Sequence, residues 1–215
     1  MIEAVFFDLD GTLLDTVPDI RMSLNETLAA FGYPQISEGE ARQFVGNGAR
    51  KLVERATPEG APVERILADF RTRYAACANA HTRPYEGAKE FLVKAKAAGF
   101  KLAVITNKSQ DATQRAVSQF FPGIFDFVEG NSGAFPCKPD PALARYAALS
   151  LRVAPKDCVF VGDGETDVLT AKNTGMRSVA VLWGYRTREE LEGAGARCFV
   201  RSYAELEKLL LDGAF

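Results

Sequence analysis

One segment constrains this chain more than any other: the apolar run Ala4-Val5-Phe6-Phe7, which stops abruptly at Asp8-Leu9-Asp10-Gly11-Thr12. The run is continuous rather than alternating, and Val and Phe favour extended backbone. It therefore predicts a strand covered on both faces by helices, as in a parallel sheet. Side chains two residues apart on an extended chain share a face, so Asp8 and Asp10 should leave the end of that strand in a common direction. Two ionised carboxylates that close repel each other. A cation between them, or a proton on one, relieves the repulsion, and either state is chemically useful.

After this strand the pattern turns helical across residues 15–83. Thr16 and Pro18 open a helix that Gly32 is placed to end, and Ser37 with Glu40 has the spacing of a capping box. A Gly46-Asn47-Gly48 loop separates it from helical stretches at 49–56 and 62–79, and His81-Thr82-Arg83-Pro84 breaks the pattern. From Tyr85 onward helices and strands alternate, with strands expected at 101–105, 126–128, 158–161 and 178–182 and a short edge strand at 197–200. The segment Trp183-Gly184-Tyr185 is expected to close the sheet edge. A chain of 215 residues is long enough for one α/β domain plus a modest insertion. The alternation predicts an α/β fold, a doubly wound parallel sheet (Rossmann-like) core built from residues 1–14 and 84–215, with an inserted all-helical cap over residues 15–83.

Ligands of open parallel sheets bind outside the carboxyl ends of the strands. Polar residues gather there in this sequence: Asp8 and Asp10 end the first core strand, Thr106-Asn107 end the second, Lys138 follows the third and Asp163 ends the fourth. Net charge is −2, with lysines and arginines spread along the chain, so no nucleic-acid partner is expected. No apolar stretch approaches membrane-spanning length and the N-terminus leads straight into a strand, which points away from a membrane and toward the cytoplasm. Cys77, Cys137, Cys158 and Cys198 form no CxxC pair and read as reduced thiols rather than zinc ligands or a disulfide framework.

Four motifs, DLDGT at 8–12, a strand ending in Thr106, Lys138 in a KPDP context and GDGETD at 162–167, occur in order, each at or just after a strand end. With them the chain resembles the haloacid dehalogenase-like hydrolase superfamily, in its phosphoglycolate phosphatase-like branch with a helical cap. The resemblance implies a Mg²⁺-dependent phosphatase that hydrolyses a small phosphomonoester, 2-phosphoglycolate first among the candidates, through a phospho-aspartate. Asp8 becomes the nucleophile and Asp10 the general acid and base, with the Asp10 main-chain carbonyl on the metal. Asp8, Asp10 and Asp163 form the metal set, and Asp167, one helical turn after Asp163, orients metal-bound water or Lys138. Gly11, Thr12, the Thr106 hydroxyl, the Asn107 amide and Lys138 face the phosphoryl group. The cap loop Gly46-Asn47-Gly48, with Arg50 just beyond, faces the site and suits an anion. The resembling proteins commonly carry a serine where this chain has Gly164, which removes one hydroxyl beside the metal set. His81, the sole histidine, reads as an exposed linker residue rather than a catalyst. Leu13 to Asp15 and Arg83 to Tyr85 are the expected hinges.

The partner is then a small phosphorylated metabolite, and the protein a monomer or homodimer. A sugar phosphomutase of the same superfamily, a pyrophosphatase or nucleotidase, and a non-catalytic interaction scaffold stay open as alternatives.

Overall fold

The computed structural model describes residues 2–211. The chain begins with β1 (Ala4–Phe7), every residue of it buried, and β2 (Leu14–Asp15). Four helices follow, α1 (Val17–Ala30), α2 (Glu38–Phe44), α3 (Ala49–Ala56) and α4 (Val63–Ala76), before β3 (Arg83–Pro84). The remaining chain alternates: α5 (Ala88–Ala97), β4 (Lys101–Ser109), α6 (Gln110–Phe120), β5 (Phe127–Asn131), α7 (Ala142–Ser150) and β6 (Cys158–Gly162). It finishes with α8 (Glu165–Thr174), β7 (Arg177–Val181), α9 (Arg188–Gly193), β8 (Phe199–Val200) and α10 (Tyr203–Leu211).

The six-stranded sheet has the order β5-β4-β1-β6-β7-β8, with every pairing parallel. The apolar continuity of β1 follows from its central place. Val5 and Phe7 pack on one layer with Leu102, Val104, Val159 and Val161, while Ala4 and Phe6 pack on the other with Ala103, Ile105 and Phe160. The period of two along each strand therefore sorts side chains into two helical layers, and both need apolar residues. Chain order along the sheet reverses between β1 and β6, and a crevice opens at the carboxyl ends of two such strands. Asp8 and Asp163 stand at those two ends.

The block α1–α4 has a core of its own, in which Val17, Leu24, Leu28, Val53, Ile66 and Phe70 meet. The capping box at the start of α2 is present as expected: Glu40 N donates to Ser37 Oγ at 3.2 Å and Ser37 N to Glu40 Oε2 at 2.8 Å. The chain leaves the sheet through β2 and returns through β3, and these pair antiparallel, Leu14 with Pro84 and Asp15 with Arg83. Buried Asp19 ties the return to the departure by accepting from the main-chain N–H groups of His81 (3.0 Å) and Thr82 (2.7 Å) and from the Thr82 hydroxyl (2.7 Å). The His81 side chain is exposed, as expected of a linker residue.

The structure corrects the sequence reading in three places. β4 continues past Ile105 to Ser109, which carries Thr106, Asn107 and Lys108 along its buried end. β5 starts at Phe127 and reaches Asn131, beyond the expected Val128. Residues 183–185 do not close the sheet edge. β8 does so by pairing with β7 through Ala180 with Phe199 and Val181 with Val200, and with that edge covered the segment is free to fold over the strand ends. There the Trp183 ring lies 4.7 Å from that of Tyr203 and its indole N–H donates to the Thr12 carbonyl at 3.0 Å.

Candidate active site

Burial and short tethers fix the acidic residues. Asp8, Asp163 and Asp167 offer carboxylate oxygens that all lie within 4.8 Å of one another, and all three residues are buried. Lys138 reaches into this group from the loop after β5, its Nζ 2.7 Å from Asp8 Oδ1 and 2.6 Å from Asp167 Oδ1. The second oxygen of Asp167 accepts from Gly164 N at 2.9 Å at the start of α8. Asp163 accepts from the Thr12 hydroxyl at 2.9 Å and from the Tyr185 amide at 2.9 Å, so both of its oxygens are oriented by protein donors.

One buried ammonium among three buried carboxylates leaves the group short of positive charge. Burial pushes the Asp8 carboxyl up to about 6, with Lys138 opposing the rise and Asp167 and Asp10 adding to it. Burial likewise pushes Asp163 up to about 8, with Asp8 and Asp167 adding to the rise. For Lys138 burial acts the other way, but the Asp167 and Asp8 charges outweigh it and hold the ammonium firmly protonated. Crowded hard oxygens that resist ionisation for want of a cation are the donor set that a small divalent ion fits.

Backbone geometry leaves no slack around these carboxylates. A Cβ on Gly11 or Gly184 would overlap the Asp163 side chain, and one on Gly162 would overlap Asp167. Gly11 also has φ +88°, a conformation that L side chains rarely adopt. A glycine at position 11 thus leaves the space that the Asp163 side chain occupies.

Asp10 does not join the acidic trio through its side chain. Its carboxylate turns toward Lys108 on β4, with Nζ 2.9 Å from Oδ1 and 3.1 Å from Oδ2, and the same ammonium donates to the hydroxyl of Tyr74 on α4 at 2.6 Å. The Lys108 side chain is 4% exposed. Burial disfavours its charge, but Asp10 and Tyr74 outweigh that and keep it protonated. The Asn107 side chain accepts from Lys138 N at 2.8 Å and donates to Lys138 O at 3.1 Å, fixing the loop that carries this lysine. The same amide donates to the Gly46 carbonyl at 3.1 Å.

Asp8, Asp10, Thr106, Asn107 and Lys108 line a cavity of about 540 Å³ between the sheet edge and the helical block, which contributes Gly46, Gly48, Leu52, Phe70 and Tyr74. Asn47 lies nearer the acidic trio, on a smaller cleft shared with Asp163, Asp167 and Arg186. Arg50 is not brought to the site: its guanidinium pairs with Glu64 on the surface of the helical block. Sequence reasoning missed Lys108, Tyr74, Tyr185 and Arg186. The Arg186 guanidinium crosses from the core to donate to the carbonyls of Arg42 (2.7 Å), Gln43 (3.2 Å) and Val45 (2.6 Å), and it pairs with Glu165 at 3.2 Å. For Lys108 a signal was present, since it follows Thr106-Asn107 directly and a strand carried past Thr106 would have delivered it to the same crevice.

Comparison with known proteins agrees with this geometry. The family described as haloacid dehalogenase-like hydrolase matches residues 5–181. A phosphoglycolate phosphatase of Colwellia psychrerythraea is 32% identical over 214 residues, covering 95% of this chain and 95% of the relative. Phosphoglycolate phosphatase 1 of Pseudomonas aeruginosa is 37% identical over 190 residues, 84% of this chain and 70% of its own length. Among solved structures, a predicted phosphoglycolate phosphatase from Haemophilus somnus superposes with a TM-score of 0.90 at 28% identity, covering 97% of each chain. CbbY from Rhodobacter sphaeroides in complex with phosphate gives 0.79 at 30% identity, covering 96% of each chain. The chain belongs to the haloacid dehalogenase-like hydrolases, in the phosphoglycolate phosphatase-like branch that carries a helical cap.

Proposed function

We propose that this protein is a Mg²⁺-dependent phosphatase that hydrolyses a small phosphomonoester through a phosphorylated Asp8, with 2-phosphoglycolate as substrate. The observation that carries the reading is the Asp8–Lys138–Asp167 chain of charges beside Asp163, with Asp8 on the wall of the cavity between the sheet edge and the helical block. Asp8 and Asp163, with the main-chain carbonyl of Asp10, would hold the ion. Asp167, which accepts from Lys138 Nζ and from Gly164 N, positions this lysine and the start of α8 beside them. The ion's chemistry would be to neutralise phosphoryl charge and draw the carboxylate and the phosphorus together.

The protein's own groups do the rest. Asp8 attacks phosphorus in line and forms an acyl-phosphate as the ester oxygen leaves, and Asp10 gives that oxygen its proton. Asp10 then takes a proton from the water that attacks the acyl-phosphate, releasing inorganic phosphate and restoring Asp8. Lys138 and the Thr106 hydroxyl donate to phosphoryl oxygens whose charge grows in the transition state. Residues 15–83 act as a cap on the remaining core, excluding water while Asp8 is attacking and opening for product to leave. The free cysteines fit a cytoplasmic setting. Among the described residues no helix is long and apolar enough to cross a membrane.

The test is phosphate release with and without Mg²⁺ from a panel of phosphomonoesters that includes 2-phosphoglycolate, sugar phosphates, pyrophosphate and nucleotides, with Asp8→Asn as control. Metal-dependent release that disappears in the variant supports the reading. Interconversion of a sugar phosphate without net release would replace it with a mutase.

A further inference from the structure

Two buried lysines stand at the site, and the proposed mechanism uses only one. Lys138 is paired with Asp8 and Asp167 and belongs to the phosphoryl end. Lys108 is equally buried, lines the cavity, and already holds a carboxylate, that of Asp10, against a single neutral hydroxyl from the facing wall. An ammonium is a compact point charge on a flexible stem, with no geometric commitment to one carboxylate over another. The structure therefore displays a carboxylate-binding position filled by a protein side chain. Because Asp10 has to face the ester oxygen when substrate is bound, Lys108 needs a replacement anion at that moment, since a buried charge left unpaired is strongly disfavoured.

Position restricts what that anion can be. Lys108 N donates to Thr106 Oγ1 at 3.3 Å, so the lysine and the phosphate-facing threonine belong to one tight stretch of chain. Lys108 Nζ lies 2.9 Å from the carboxylate of Asp10, the residue that must also reach the ester oxygen, and it shares the cavity wall with Asp8 and Thr106. An anion on Lys108 therefore belongs to the same short substrate as the ester. Taking the proposed phosphatase reaction as its basis, we infer that Lys108, steadied by Tyr74 from the cap, is the specificity-determining residue for a carboxylate on the substrate, exchanging the Asp10 carboxylate it holds here for the substrate's own. The same exchange frees the Asp10 carboxylate, which takes up a proton from solvent and turns to the leaving oxygen, so recognition of the acid and readiness of the site are one event. Tyr74 makes the exchange depend on the cap, because its hydroxyl reaches Lys108 only when α4 covers the strand ends.

The experiment compares kcat/KM for 2-phosphoglycolate with that for 2-hydroxyethyl phosphate, an ester of similar length whose second end is neutral. Wild type, Lys108→Met, Lys108→Arg and Tyr74→Phe are measured with p-nitrophenyl phosphate turnover alongside. The wild-type protein is expected to favour the acid, and Lys108→Met to lower the acid-to-neutral ratio by about 100-fold, the worth of a hydrogen-bonded charge pair, with the loss in the KM for the acid. Lys108→Arg restores part of the ratio. Tyr74→Phe, which removes one hydroxyl and no charge, lowers it by about 3-fold and supplies the answer should Lys108→Met not fold. A ratio that is near one in wild type, or that stays constant across the variants while both esters slow together, overturns the inference. p-Nitrophenyl phosphate turnover with no acid preference removes the role of Lys108 alone, whereas no turnover of any ester removes the phosphatase reading with it.

Discussion

The acidic trio and the seam beneath the helical block are built from opposite materials. At the trio, short aspartates anchored at strand ends or at the start of α8 meet through tethers of one or two side-chain bonds, with glycines trimmed to fit them. At the seam, contact is made by the ends of long side chains: Arg186 on α2 carbonyls and Lys108 on Tyr74. Short tethers hold reacting atoms within tenths of an ångström. Long ones can let go and re-form without disturbing the fold of either part. The proposed reaction asks for exactness at one end and opening at the other, and the two demands would fall on these two kinds of residue.

The contrast can be broken at its stiff end first. Lys138→Ala leaves Asp8 and Asp167 facing each other with nothing between them, and kcat should fall by about 10³-fold or more. The loss of a buried pair partner should also cost about 3 kcal/mol of stability, read by denaturant unfolding. Gly184→Ala should cost about 1–3 kcal/mol, because its methyl group and Asp163 contend for the same space. An unaltered unfolding midpoint would show that the strand ends yield more than their packing implies.

Proton linkage offers a milder probe. The Asp163 carboxyl is raised from an ordinary 3.8 to about 8, so the metal-free folded protein binds a proton that the unfolded chain releases. Stability contributed by that proton is complete below about pH 4 and is lost as pH rises through about 8. The melting temperature of the metal-free protein should decline across this window, and the rise produced by adding Mg²⁺ should grow across it. A Mg²⁺ effect that is flat with pH would detach the ion from Asp163.

The smallest effect belongs to the seam. Arg186→Ala removes three donors to the end of α2 and its following loop but touches no reacting atom. Hydrogen exchange at residues 38–48 should quicken while the melting temperature stays within a few degrees, about 1 kcal/mol. If exchange in that segment is unchanged, the helical block is held by its apolar contacts alone.

Much of the stiff end was legible in the sequence. An apolar run that stops at charged residues declares a strand and its reactive end in adjacent letters, and GDGETD writes a strand end, a turn and the first turn of a helix in six residues. The capping box at Ser37 was equally local. The seam was not legible, because its partners are far apart in the chain: Tyr74 and Lys108 are separated by 34 residues and Val45 and Arg186 by 141. Nothing near Arg186 says which carbonyls it will meet. Arg50 shows the converse, an arginine beside a glycine loop that looked suited to an anion but found Glu64 nearer. Asp10 falls between the two: its position at the strand end was readable, whereas the direction of its carboxylate was set by a lysine on another strand.

The antiparallel pair formed by Leu14-Asp15 and Arg83-Pro84 has a consequence for how such a protein can change over generations. Because departure and return lie side by side, everything between them is a cassette that plugs into the sheet through one narrow socket. A tight turn could bridge the same two strands, as could a larger module, with the register of β1 untouched. The chassis can therefore keep one way of breaking a bond while successive cassettes decide which molecules are admitted to it.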